Sequence, residues 1–131
     1  MLNYWKNTHP GPKNQNKPFK ERFPFENRSE ESRRIREKYP ERLPIIVERH
    51  STALSVPEID RNKFLVPDDL TFGQMVYVIR KRVEIPSDQA MYFFVNGKIM
   101  PFNKLISDIY DNNKSKDGFL YMTYSGESTF G

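Results

Sequence analysis

The 131-residue chain has no cysteine. Disulfides, thiolate nucleophiles and cysteine-bearing zinc sites are therefore excluded. Histidine is almost as scarce: His9 and His50 are far apart, and neither has a partner at metal-ligand spacing. Long apolar runs are missing too. The longest, such as 92–95, fall far short of the ~20 residues that a membrane-spanning helix needs. The opening residues MLNYWKNTHP hold neither an apolar stretch nor a small-residue cleavage site, so no signal peptide is expected and the reducing cytosol is the default compartment. No Walker-type glycine loop and no GxGxxG occurs, so no nucleotide cofactor is expected. His50 and Ser51 are adjacent, but no Gly-x-Ser-x-Gly turn surrounds them, and a nucleophile needs its base at hydrogen-bond reach. The chain does not read as an enzyme.

Charge is present and unevenly placed. Lys and Arg total 21 against 17 acidic residues, a net charge of +4. The first twenty residues carry Lys6, Lys13, Lys17 and Lys20 and no acid, so they hold the whole excess. The remainder is balanced, which argues against a nucleic-acid-binding face. A basic end can favour an anionic surface. Residues 1–17 hold four Asn, two Pro and one Gly and lack periodicity, so they read as a flexible basic extension, with Tyr4 and Trp5 its aromatic groups.

Order is expected from Pro18. Phe19 and Phe23 share one face of a helical turn that Pro24 stops. Asn27-Arg-Ser-Glu30 reads as a capping box for a polar helix running to Tyr39, with Ile35 and Tyr39 on one face. These elements form a helical segment over 18–40. Leu43–Arg49 reads as a strand with Pro44 at a bulge or a strand start, and Lys63–Val66 as a second strand closed by Pro67. With no helix between them, the two suggest a hairpin. Thr71-Phe-Gly-Gln74 is a second capping box, opening a helix to about Val83 whose buried stripe is Phe72, Met75, Val76, Ile79 and Val83. Val78 falls outside that stripe. Met91–Val95 is a strand and Asn96-Gly97 the type I′ turn of a hairpin. Leu105–Tyr110 is a short helical patch, and Phe119–Tyr124 the last strand. Acid pairs Glu30-Glu31 and Asp68-Asp69 fall beside the expected helix starts, where the helix dipole favours them. The order ββαβ(β)β with a helix across the sheet is an α+β, ubiquitin-like β-grasp over 41–125, preceded by helical additions. Parallel pairing of the first and last strands would use the rest of the domain as its crossover, which is longer than the minimum such pairs need; the strand order itself is left open. Residues 126–131 form a polar tail ending in Phe130-Gly131.

From about Phe19 onward the sequence resembles the autophagy ubiquitin-like modifiers, the family of autophagy-related protein eight and the GABA-receptor-associated protein. The stretches that carry the resemblance are Pro24-Phe-Glu-Asn-Arg28, Ile35-Arg-Glu-Lys-Tyr-Pro-Glu-Arg-Leu-Pro-Ile-Ile-Val-Glu48, Lys63-Phe-Leu-Val-Pro67, Leu70-Thr-Phe-Gly-Gln74, Ile79-Arg-Lys-Arg82, Phe93-Phe-Val-Asn96 and Phe119-Leu-Tyr-Met-Thr-Tyr-Ser125 through Phe130-Gly131. The resemblance implies that a cysteine protease cuts after Gly131, recognising Phe130 and Gly131. Activating and conjugating enzymes then join Gly131 to the amine of phosphatidylethanolamine, on autophagic membranes, with a cytoplasmic pool of the free chain. It further implies a groove for proteins bearing aromatic-x-x-aliphatic motifs. Its aromatic pocket would be Glu31, Ile35, Pro44, Ile46, Lys63, Leu65 and Phe119. Its aliphatic pocket would be Phe64, Val66, Pro67, Leu70, Met75, Val78 and Ile79. Arg42, Arg61, Lys63 and Arg82 would meet acids flanking the motif. No cofactor and no nucleic-acid partner are implied. The rival reading is a β-grasp adaptor in vesicle trafficking or cytoskeletal binding that is never conjugated, for which a terminal Gly has no use.

Overall fold

The computed structural model describes residues 17–59, 61–82 and 84–127. Two helices come first, α1 (Phe19–Arg22) and α2 (Phe25–Lys38), then strands β1 (Arg42–Arg49) and β2 (Lys63–Pro67). Helix α3 (Phe72–Arg82), strands β3 (Tyr92–Val95) and β4 (Lys98–Ile99), helix α4 (Ile106–Asn113) and strand β5 (Leu120–Ser125) complete the order. The sheet order is β2-β1-β5-β3-β4. β1 and β2 are antiparallel, and β1 and β5 are parallel, with Ile45 opposite Leu120. This is the β-grasp expected from the sequence.

Strand alternation sorts side chains onto two faces. Leu43, Ile45 and Val47 of β1, Phe64 and Val66 of β2, and Leu120, Met122 and Tyr124 of β5 enter one core. Phe72, Met75, Val76 and Ile79 of α3 and Ile106, Ile109 and Tyr110 of α4 close it. On the opposite face Ile46 and Phe119 pack with Phe19 and Phe23. The ring centroids of Phe19 lie 4.9 Å from Phe23 and 5.4 Å from Phe119. Each such buried side chain contributes roughly 1.5–3 kcal/mol of transfer free energy, so α1 is held mainly by Phe19 and by Phe23 at its C-cap. The Phe19 N–H also donates to Glu48 Oε2 at 2.8 Å.

Local signals succeed where they are strong. The Thr71 N–H donates to Gln74 Oε1 at 2.9 Å and the Gln74 N–H to Thr71 Oγ1 at 3.2 Å, a reciprocal capping box at the start of α3. Asn96 and Gly97 both have positive φ, +51° and +78°, as a type I′ turn requires.

The other expected box does not form. α2 starts at Phe25 with Pro24 as its N-cap, so Asn27 and Glu30 lie inside the helix. Proline's fixed φ, here −63°, is already suited to a helix start and wins over the Asn-x-x-Glu pattern. Glu30 and Glu31 therefore do not sit at the dipole's N-terminus.

Pro44 makes no bulge; it is paired opposite Leu65 within β1. The Val47 N–H donates to the Asn62 carbonyl, toward the β2 side, so alternation turns the nitrogens of Ile46 and Pro44 toward β5. The β5 register begins only opposite Ile45, so the donor Pro44 lacks would have faced no ladder. Helix α4 is shifted and extended relative to the expected patch, to Ile106–Asn113.

Candidate functional site at the open edge of β2

β2 is an end strand of the sheet. The same alternation that turns Val47, Ile45 and Leu43 toward β2 turns Phe64 and Val66 toward β1, opposite which they stand. The backbone groups of Lys63 and Leu65 then point to the outer side of the strand. Pro67 ends the edge and offers no N–H there.

Glu31, Ile35, Pro44, Ile46, Lys63, Leu65 and Phe119 are all buried. Ile46 and Phe119 share the small core under α1, and Lys63 and Leu65 are on the same strand face as each other. The Lys63 ammonium stands 3.4 Å from Glu31 Oε1, with the two side chains 4% and 5% exposed. Lys63 is therefore not a solvated surface charge, as expected of a residue meeting acids at a groove rim. Burial pulls its pKa below the usual lysine value, and Glu31 opposes this only in part.

On the other face Phe64, Val66, Met75 and Ile79 are fully buried in the main core. Only Pro67, Leu70 and Val78 of the aliphatic set keep partial exposure. Leu70 and Val78 pack against that core. Val78 is thus a half-buried shoulder of the α3 stripe rather than a residue wholly outside it. The Leu70 carbonyl accepts the Ile106 N–H at 2.9 Å, which ties this corner to the start of α4. Arg42 is half-buried, and Arg61 and Arg82 are exposed.

The family model described as the autophagy protein Atg8, ubiquitin-like, matches residues 27–131. The chain belongs to the Atg8 family. It is 55% identical to autophagy-related protein 8c of Arabidopsis thaliana over 88% of this chain and 97% of that one. It is 53% identical to autophagy-related protein 8 of Vanderwaltozyma polyspora over 86% of this chain and 95% of that one. The crystal structure of Trypanosoma brucei ATG8 superposes with a TM-score of 0.80 at 44% identity, covering 89% of this chain and all of that one. Autophagy is thus the process, and a ubiquitin-like modifier the kind of protein.

Within this Atg8-family chain one cluster escaped the sequence. Asp117, 1% exposed, accepts from Arg28 Nη1 and Tyr121 Oη through Oδ2, and from the Phe119 N–H through Oδ1. Ser32 donates to the Asp117 carbonyl, and Tyr110 Oη to the Gly118 carbonyl. The cluster joins α2 to the turn before β5, eighty-nine residues on from Arg28. Its sequence signal is confined to Asp117-Gly118, a dipeptide that marks a turn. Phe130 and Gly131 lie outside the described residues, as do Tyr4, Trp5 and Val83.

Proposed function

We propose that the chain is conjugated through Gly131 to phosphatidylethanolamine and recruits proteins bearing aromatic-x-x-aliphatic motifs to autophagic membranes. In the conjugation, an activating enzyme has the Gly131 carboxylate attack the α-phosphate of ATP, forming an adenylate and releasing pyrophosphate. An enzyme thiol displaces AMP to form a thioester. The lipid amine then displaces the thiol and leaves an amide. Glycine suits this passage because it lacks a Cβ in a narrow active site. The lipid's two acyl chains supply stable anchoring where one chain is marginal, and among the described residues no helix is long and apolar enough to cross a membrane. A protease that recognises Phe130 and Gly131, a cytoplasmic free pool and an autophagosomal lipidated pool belong to the same reading.

The observation that carries the docking part is the open edge of β2 with a different residue set on each face. A peptide that pairs with Lys63 and Leu65 is extended, and residues three apart in a strand point to opposite faces. An aromatic side chain can then enter beside Glu31, Ile35, Pro44, Ile46, Leu65 and Phe119. The aliphatic one enters beside Pro67, Leu70 and Val78, over Phe64, Val66, Met75 and Ile79. In this reading Arg42, Arg61 and Arg82 meet acids that flank the motif. The two anchors contribute roughly 1.5–3 kcal/mol each. With main-chain pairing, less the ordering of the peptide, the affinity is on the order of micromolar.

Two measurements test the halves separately. Mass spectrometry of the chain from cells is expected to find a phosphatidylethanolamine adduct on the parent and none on Gly131→Ala; equal lipidation of both ends the conjugation reading. Titration of a labelled acidic aromatic-x-x-aliphatic peptide is expected to show at least tenfold weaker binding to Val78→Asp. Because Val78 packs on the core, that variant also loses roughly 1 kcal/mol of stability, so its fold is verified first. Unchanged affinity of the folded variant removes the groove.

A further inference from the structure

The loop from His50 to Val56 stands where the tail leaves the sheet. β5 ends at Ser125, and the His50 N–H donates to the Tyr124 carbonyl. A Cβ on Gly126 would collide with Ser55 Oγ and meet Val56 Cγ1 at 3.1 Å, so the first residue of the tail runs directly against this loop. Five residues separate Gly126 from the end of Gly131, a reach of at most about 17 Å.

The loop is built to hold one side chain outward. Ala53 and Val56 are buried in the main core. The Ala53 N–H donates to the His50 carbonyl at 2.9 Å, and Arg49 Nη1 to the Val56 carbonyl at 3.1 Å. Tyr124 Oη donates to the Pro57 carbonyl at 2.7 Å and accepts the Ile59 N–H at 3.0 Å. Between the two buried anchors Leu54 is 81% exposed, the most exposed large apolar side chain among the described residues. Residues 50–57 contain no Asp, Glu, Lys or Arg, so the loop can approach lipid without dehydrating a fixed charge.

We infer that this loop is a lipid-contacting surface, with Leu54 entering the boundary between headgroups and acyl chains when the tail is joined to a bilayer. The inference rests on lipidation at Gly131. The occupant is a bilayer because the tether leaves beside the loop and is too short to let that end of the domain leave the surface. The hydroxyls of Ser51, Thr52 and Ser55 suit the headgroup layer around a single apolar tip.

The absence of cysteine permits a test that needs no conjugating enzyme. Gly131→Cys couples the full chain at one position to maleimide-headgroup phosphatidylethanolamine in phosphatidylcholine vesicles. Trp5→Phe removes the single native tryptophan, and Leu54→Trp places the probe at the loop tip. Phe102→Trp is the comparison; Phe102 is 67% exposed and lies beside Gly73 at the start of α3, toward the opposite end of the sheet from Ser125. On coupling, Leu54→Trp emission is expected to shift to the blue and to be quenched by brominated acyl chains, while Phe102→Trp stays water-like. Water-like emission from Leu54→Trp overturns the inference. So does an equal response from Phe102→Trp, which would mean indiscriminate collapse onto the bilayer. A missing lipid adduct on the parent chain in cells would instead sink the conjugation reading, and the coupled vesicles report on the loop independently of it.

Discussion

Lys63→Met removes the ammonium that faces Glu31 from a place where both side chains are about 95% buried, at 4% and 5% exposure. Removing one partner of a buried pair typically costs 3–5 kcal/mol, because the other charge stays buried. The 3.4 Å separation is longer than the ~2.7–2.9 Å of a strong charge-assisted bond, so the pair itself is not a strong one. The expected loss is therefore about 3 kcal/mol, near 10 °C in Tm for a chain of this length. Lys63→Met with Glu31→Leu should return to within about 1 kcal/mol of the parent, since a buried pair often exchanges for apolar residues at little cost. Urea unfolding of the parent, the single variant and the double variant decides it. A single variant as stable as the parent, or a double variant no more stable than the single one, refutes the reasoning. Burial also means that whatever Lys63 adds to peptide binding is poorly screened by salt.

Tyr110, Tyr121 and Tyr124 all have pKa values raised, chiefly by burial. A raised folded value gives stability that is complete below the ordinary value of about 10 and is lost as pH rises. Stability should therefore fall as pH rises above the ordinary tyrosine value, and Tyr121→Phe should make that fall shallower; a flat profile to pH 11.5 in urea unfolding would contradict this. Gly118→Ala should cost more than Gly97→Ala. Both have positive φ, but only at Gly118 would a Cβ strike Ser32; about 1–2 kcal/mol of backbone strain is common to both, so equal losses by thermal unfolding would dismiss the steric account. Glu48 has its pKa raised chiefly by burial, with the Phe19 N–H opposing, so its contribution is present below the ordinary carboxylate value and lost as pH rises through the folded one. Glu48→Gln keeps an acceptor for Phe19 and should be neutral or stabilising at pH 7; a loss above ~1 kcal/mol would show that the charge itself matters.

The legible parts of the fold were those set by neighbours in sequence. The Asn96-Gly97 turn and the Thr71–Gln74 box depend on backbone conformation within four residues, and both formed. The α3 stripe was legible because one helix face repeats every three or four residues. The strand closed by Pro67 was legible from its apolar run, and the sheet order puts it at an edge. The failures come from competition or distance. At Asn27 two local signals competed, and Pro24 decided the start of α2. Lys63 looked like a surface cation because its partner Glu31 is 32 residues away on another element. Pro44 looked like a defect because a strand pattern does not reveal on which side, or how far along, a neighbour pairs. Four of the seven residues assigned to the aliphatic pocket proved fully buried; composition cannot separate a pocket floor from the core beneath it.

The position of the α2 wall follows from the cluster that the sequence concealed. Glu31 and Ile35 face the sheet from α2, but the mostly polar helix buries only Glu31, Ser32 and Ile35. So small an apolar face cannot set its height and rotation alone. Arg28 and Ser32 supply the missing constraint, reaching the Asp117 side chain and carbonyl from successive turns of α2. Asp117 is itself fixed by the Phe119 N–H and Tyr121, at the very start of β5. The wall beside the β2 edge is therefore indexed to the parallel β1–β5 pair at the centre of the sheet. Polar bonds of defined length hold it there. If the proposed peptide docks as argued, its aromatic side chain enters beside Ile35 and Phe119 between two surfaces that the same carboxylate holds in register, so the ordering of that pocket is completed on folding rather than left to the peptide.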